Sequence, residues 1–191
     1  ILRCLVGSEM CIRDSLAIDS GPLSDPPEDA LSDQPGHPAD LDVESILAAL
    51  TLDEKCEMVV GRTAWIVPGC ERLGVPEWAV TDGPVGARGR QQGPGLVVPG
   101  PSAISATWNV DLVHDVGVAL GVECRDRRSD LLLAPTVNLH RSPRGGRHFE
   151  SYSEDPHLSS RIAVAYIQGV QSQSVGACVK HYIANDQEFE R

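Results

Sequence analysis

Apolar positions follow two rhythms along residues 41–191, and the rhythms alternate. Residues 43–50 carry apolar side chains at helical spacing. Thr51-Leu52-Asp53-Glu54 then has the form of a capping box, in which the Thr51 hydroxyl accepts from the Glu54 amide and Glu54 reaches back to the Thr51 amide. A helix is therefore predicted from there to Val60, stopped by Gly61. Glu77-Trp78-Ala79-Val80-Thr81 predicts a short strand leading into Asp82-Gly83-Pro84. Residues 83–101 are rich in Gly and Pro and read as a long loop. Helices are predicted at 102–107 and 110–128, the second with Leu112, Val113, Val116, Leu120 and Val122 as its core face. Leu131-Leu132-Leu133-Ala134 is a continuous apolar run, the pattern of a strand covered on both faces. A second long loop over 135–155 leads to Pro156, at the first turn of a helix over 156–172. Ala177-Cys178-Val179 predicts a third strand that delivers Lys180 and His181.

The order of helix, strand, helix, strand, helix, strand predicts an α/β fold of parallel strands with right-handed crossovers. Three such strands make half of a barrel or half of an open sheet. No internal repeat is visible.

Composition changes this picture mainly at the front of the chain. The formal net charge of -11 is concentrated, because residues 19–57 hold eleven acids and one base while residues 58–191 hold fourteen acids and thirteen bases. Residues 16–40 contain five prolines among many acids and read as a disordered, solvated arm. Residues 1–15 include CLVGSEMCIRDS, which resembles a translated sequencing-adapter read-through, and they are set aside as a non-native terminus. No basic stripe with interleaved aromatics suggests nucleic acid. No apolar run approaches the roughly 18 residues of a membrane helix. Six cysteines are scattered without a C-x-x-C pair, which argues against a zinc ribbon or redox motif. They read as reduced thiols. With no secretory signal visible, a cytoplasmic location is expected.

Polar chemistry gathers just past each predicted strand, where parallel α/β folds place their sites. Asp82 follows the first strand. Asn138, Arg144 and Arg147 follow the second. Lys180 and His181 end the third, with Asn185, Asp186, Gln187 and Glu188 beyond. Lys180 is one of only two lysines, against fourteen arginines. A lysine at the end of a buried strand is paired, functional or snorkelling. Asp82 in Thr-Asp-Gly-Pro has a local alternative as a turn aspartate bonded to its own backbone. Glu154-Asp155-Pro156 reads as a helix cap. Carboxylates accept from pairs of sugar hydroxyls while Lys, Arg and His donate to the same oxygens, so this set suits a sugar. It suits an anionic ligand almost as well. Gly145-Gly146-Arg147 lacks the G-x-x-x-x-G-K-[ST] and G-x-G-x-x-G patterns of established phosphate loops.

Three blocks carry a resemblance. Thr81-Asp82-Gly83-Pro84-Val85-Gly86-Ala87-Arg88 is the first, and Gly146-Arg147-His148-Phe149-Glu150-Ser151-Tyr152-Ser153-Glu154-Asp155-Pro156 is the second. Val179-Lys180-His181-Tyr182-Ile183-Ala184-Asn185-Asp186-Gln187-Glu188 is the third. In this order and spacing they resemble glycoside hydrolase family 3 over residues 43–191. The resemblance implies a partial (β/α)8 TIM-like barrel, roughly its first half, over residues 41–191. It implies that Asp82, Arg147, Lys180 and His181 hold the nonreducing-end sugar, with Arg88 as an addition. The third block is similar to the β-glucosidase and β-xylosidase branch and lacks the histidine-bearing loop of the N-acetylhexosaminidase branch. His148 stands where relatives often have Asn or another small or polar residue.

The activity implied is retaining hydrolysis of terminal β-D-glucosyl residues in small glucosides or oligosaccharides, by a nucleophilic carboxylate and an acid/base carboxylate. Both are expected beyond Arg191. Glu188 and Glu190 are rejected as substitutes, because their block matches a binding and structural segment. No metal or organic cofactor is implied. The isolated chain is expected to be inactive. The competing readings are a β-xylosidase parent, a noncatalytic carbohydrate-binding module, and a phosphate or nucleotide binder using Arg144 and Arg147.

Overall fold

The computed structural model describes residues 42–89, 93–182 and 185–188. The terminus at 1–15, the arm at 16–40 and Glu190 lie outside the described residues.

Helix α1 (Val43–Ala49) starts at Asp42, whose side chain accepts from the Ser45 amide. Helix α2 (Leu52–Val60) has the expected capping box at Thr51 and Glu54 and ends at Gly61. Arg72 also donates to Glu54. That hydrogen bond, followed by the Thr51 amide, holds the Glu54 carboxyl down at about 2. A small cluster of Ile46, Leu50, Cys70 and Val75 buries this end of the chain.

The sheet runs β1 (Ile66–Val67), β2 (Trp78–Asp82), β3 (Leu131–Leu133), β4 (Gly176–Ala177) in that spatial order. Strands β2, β3 and β4 are parallel, as the alternation predicted. The antiparallel edge strand β1 was not anticipated: two residues are too few to show a period, and Ile66 pairs with Ala79. Asp82 is the last residue of β2 rather than the first of the loop. The expected strand at 177–179 is shorter and earlier in register. The chain beyond it still pairs, with Cys178 N donating to Leu132 O and Lys180 N donating to Pro135 O. Asp130 ties the strand starts together, its carboxylate accepting from Ala79 N at 2.7 Å and its carbonyl from Gly176 N at 2.8 Å.

Between the strands lie α3 (Pro101–Ser105), α4 (Val110–Asp126) and α5 (Pro156–Gln171). Asn109 caps α4, and Asp155 caps α5 ahead of Pro156, as the sequence suggested. Helices α4 and α5 pack against one face of the sheet. Val113, Leu120, Cys124, Leu132, Ala134, Ile162, Tyr166 and Val170 form the main core there. A fully buried aliphatic side chain of this kind contributes about 1.5–3 kcal/mol.

Two sequence expectations fail in this layer. Leu112 and Val122, assigned to the core face of α4, are 46% and 44% exposed. Val113 and Leu120 are buried as predicted and Val116 packs against the core, but the face is completed by Gly117, Gly121 and Cys124. The reason is close helix approach. A Cβ on Gly117 would collide with the Tyr166 carbonyl, and one on Gly169 would collide with the His114 carbonyl. Strand β3 is also covered less than expected. Leu132 is buried, but Leu131 and Leu133 are partly exposed. They point to the other face, as alternation along a strand requires.

The loop after β2 is held from below by an ion pair on α4. Glu123 and Arg127 meet at 3.1 Å with both side chains 11% exposed. Glu123 accepts from the Leu96 amide at 2.7 Å and the Ala87 amide at 3.3 Å. Arg127 donates to the carbonyls of Arg88, Gly93 and Pro94. From the other side, the Tyr166 hydroxyl donates to Pro84 O at 3.3 Å. Burial raises the pKa of that hydroxyl, so it keeps its proton. Among the described residues the four cysteines are free. Burial pushes the Cys124 thiol up to about 12, which makes it an inert core residue.

Candidate functional site

The polar residues that end successive strands meet. Lys180, which pairs with Thr136 just past β4, sends its Nζ across the end of β3 to Asp82 Oδ1 at 2.9 Å. The two side chains are 15% and 29% exposed. Burial acts most strongly on the Asp82 carboxyl and pulls its pKa up. The Lys180 hydrogen bond and charge, the Arg88 charge and the Gly83 amide together outweigh burial and hold it below its ordinary value. Asp82 is therefore an anion facing a cation.

The loop after Asp82 is fastened locally. Thr81, 1% exposed, accepts from Gly89 N at 2.7 Å, and Arg88 N donates to Asp82 O at 3.1 Å. The Arg88 guanidinium stands 3.9 Å from Asp82 Oδ2 and its side chain is 75% exposed, so Arg88 sits at the rim.

Arg147 comes from the loop after β3. Its Nε donates to Glu150, its Nη2 lies 3.2 Å from His181 Nε2, and its Nη1 lies 3.8 Å from Glu188. The loop carrying it is anchored to α3, where Ser102 donates to the carbonyls of His148 and Ser151. His148 packs inward. Its ring stacks on His140 with centroids 4.9 Å apart, and its Nε2 is 2.9 Å from the Asp186 carbonyl.

His181 follows Lys180 through a cis peptide bond. Its amide donates to Asn138 Oδ1 at 3.0 Å. Asp186, 9% exposed, accepts from Arg141 at 2.7 Å and from the Leu139 amide at 3.1 Å. These bonds bind the third motif to the loop after β3.

Of the residues proposed from sequence, Asp82 and Lys180 form one contacting pair and Arg147 and His181 another, adjoined through the Lys180–His181 peptide, with Arg88 at the edge. Arg144 is not brought in: it is exposed, and its amide donates to Ser142 Oγ. Sequence reasoning placed Asn138 and Asp186 among the polar residues past the strand ends without assigning their partners, and it missed Arg141 and the pairing of Glu150 with Arg147. The signal available for Glu150 was its place three residues after Arg147. Among the described residues no group of three or more His, Cys, Asp or Glu side chains is arranged to hold a metal ion. Nor is any described helix long and apolar enough to cross a membrane.

Known proteins resemble this chain in sequence and fold. The family model for the glycosyl hydrolase family 3 N terminal domain matches residues 50–190. A β-glucosidase of Rhizobium radiobacter is 48% identical over 153 residues, covering 78% of this chain and 19% of that protein. Thermostable β-glucosidase B of Acetivibrio thermocellus is 42% identical over 161 residues, covering 79% of this chain and 21% of that protein. Among solved structures, β-glucosidase 3B from Thermotoga neapolitana in complex with α-D-glucose superposes with a TM-score of 0.72 at 40% identity, over 79% of this chain and 24% of that one. The β-glucosidase from Kluyveromyces marxianus in complex with glucose gives a TM-score of 0.75 at 36% identity, over 79% and 18%. The chain spans about a fifth of the length of the curated relatives it matches. It belongs to glycoside hydrolase family 3, and its mixed α/β sheet is part of that family's N-terminal barrel domain.

Proposed function

We propose that this chain supplies the sugar-holding wall of a β-glucosidase site, in which Asp82, Arg147, Lys180 and His181 grip the terminal nonreducing β-D-glucosyl residue and Arg88 closes the rim. The observation that carries the reading is the Lys180–Asp82 pair at 2.9 Å across the ends of parallel strands, with Arg147 and His181 beside it. A carboxylate next to an ammonium presents an acceptor and a donor side by side, which is what adjacent hydroxyls on a pyranose need. The names and glucose complexes of the similar proteins support glucose over xylose as the sugar.

Residues 41–191 are proposed as one part of the barrel domain, preceded by the arm at 16–40 and the non-native terminus at 1–15. Retaining hydrolysis needs one carboxylate free to attack the anomeric carbon and a second that exchanges a proton with the leaving oxygen. The described carboxylates at the site have other work. Asp82 is bound to Lys180, Glu150 to Arg147, and Asp186 to Arg141, while Glu188 faces Arg147 at 3.8 Å. The isolated 191-residue chain is therefore expected to bind sugar without turning it over.

The test is a glucose titration of the chain by calorimetry, repeated with Lys180→Ala. A glucose response abolished by that substitution is expected. No response in the parent, or a response that survives Lys180→Ala, overturns the assignment. Hydrolysis of a nitrophenyl β-glucoside that disappears on replacing Glu188 would overturn the claim that these carboxylates only bind. The phosphate-binding alternative loses support from the position of Arg144, away from the cluster.

A further inference from the structure

One buried side chain at the site has no part in the sugar grip described above. Asn138, 7% exposed, lies in the loop after β3. Its Oδ1 accepts from the His181 amide at 3.0 Å and also lies 3.2 Å from His181 Nδ1. Its Nδ2 donates to the His181 carbonyl at 3.4 Å. One side chain therefore engages the amide, the carbonyl and a ring nitrogen of the same histidine.

The other edge of the ring restricts the chemistry. His181 Nε2 lies 3.2 Å from Arg147 Nη2. A guanidinium has donors and no acceptor, so Nε2 meets it with a lone pair. A neutral imidazole has a single N–H, which then sits on Nδ1 and needs an acceptor. Asn138 Oδ1 is in place to be that acceptor. Its orientation is not arbitrary, because the His181 backbone N–H and carbonyl require oxygen and nitrogen where the Asn138 amide has them. Asn185 Nδ2 is also 3.3 Å from Nδ1. Amide oxygen and nitrogen are assigned from their partners, and turning the Asn185 amide over places a second acceptor there without changing its shape.

We propose that Asn138 is a positioning residue that holds His181 as the Nδ1–H tautomer, with the Nε2 lone pair turned toward Arg147 and the sugar. The backbone of the Lys180–His181 segment orients the amide, and the amide orients the proton. This deepens the sugar-grip reading and rests on it for its functional meaning. A hydroxyl that reaches both groups donates its hydrogen to His181 Nε2 and accepts from Arg147. The pair then selects a hydroxyl over a deoxy or fluoro substituent at that position, because neither can donate.

The experiment uses the full chain with 15N-labelled histidine, without sugar, at neutral pH. Long-range proton–nitrogen correlation separates the two neutral tautomers and the imidazolium by their cross-peak patterns. The His181 signals are assigned by their loss in His181→Gln. The parent is expected in the Nδ1–H form, Asn138→Asp to retain it through the surviving oxygen acceptor, and Asn138→Leu combined with Asn185→Ala to shift toward Nε2–H. An Nε2–H or imidazolium parent overturns the proposal, as does an unchanged tautomer in Asn138→Leu once Asn185→Ala has also removed the second acceptor. If Asn138→Leu does not fold, the parent and Asn138→Asp decide it: Nδ1–H in both supports the proposal, and loss of Nδ1–H in the aspartate variant overturns it. Glucose titration of the parent is a separate readout. Absence of binding with the Nδ1–H tautomer intact removes the sugar-grip reading and leaves the positioning role standing.

Discussion

Replacing Arg127 with methionine removes a guanidinium that the loop after β2 rests on. In the parent it contacts Glu123 at 3.1 Å and donates to three loop carbonyls at 3.2, 3.4 and 2.9 Å. Both charged side chains are 11% exposed, so water screens them weakly. The substitution leaves Glu123 buried without its cation. Taking one partner from a buried ion pair costs about 3–5 kcal/mol. Glu123 keeps two backbone amide donors, Leu96 and Ala87, which places the expected loss near the lower end. A loss of about 3 kcal/mol is expected from urea unfolding followed by circular dichroism, with an unchanged slope. In a domain of this size that corresponds to about 6–12 °C in Tm. The double substitution Glu123→Gln with Arg127→Met is expected to lose less than Arg127→Met alone, because no uncompensated charge remains. A loss below about 1 kcal/mol, the range of an exposed pair, would refute the argument. So would a double variant that is less stable than the single one.

Three further outcomes are expected. Gly169→Ala puts a methyl group against the His114 carbonyl where α4 and α5 touch, and should cost about 1–3 kcal/mol in a thermal melt; an unshifted melt would show that the helices separate freely. Thr51→Ala removes the α2 cap and should cost about 1 kcal/mol in urea unfolding, with Thr51→Ser close to the parent. The Asp82 carboxyl is held below its ordinary value of 3.8, so its contribution to stability is full above pH 3.8 and is lost as the pH falls through the lower folded value. In Lys180→Met, burial is the dominant remaining influence and the carboxyl should rise, so that the stabilisation the parent gains from this group above pH 3.8 is missing from the variant; superimposable stability-versus-pH curves for parent and variant would contradict the pairing.

How much was legible in the sequence depended on the distance over which each feature is decided. The caps at Thr51 and Asp155 involve groups two or three residues apart, and both are where the sequence placed them. The polar residues at strand ends were readable because a parallel sheet puts its loops on one edge. The edges of the α4 face were misread because hydrophobic spacing ignores glycine, yet Gly117 and Gly121 are what let α5 approach. Leu112 and Val122 were counted for their apolar side chains and lie outside that contact. Strand β1 exists only through its pairing with β2, which no local pattern encodes. The role of Asn138 was hidden for the same reason, since its partner is 43 residues away. Arg127 and Glu123, four residues apart on a helix, look like an ordinary surface pair until the loop lies over them.

The Lys180–Asp82 bond joins residues 98 apart in the chain and passes over the end of β3. That span makes the pair a timekeeper for folding. Each doubling of a closed loop adds only about 0.6 kcal/mol of entropy cost, so length alone does not delay it. Geometry does, because β2, β3 and β4 must all be in register before the two charges can meet. A pair that can close only then is expected to be absent from the folding transition state, and contacts of that kind govern how fast a protein comes apart, not how fast it assembles. A chain with Asp82→Asn is expected to refold at the parent's rate and unfold faster, so the same bond that shapes the site also sets how long the site lasts.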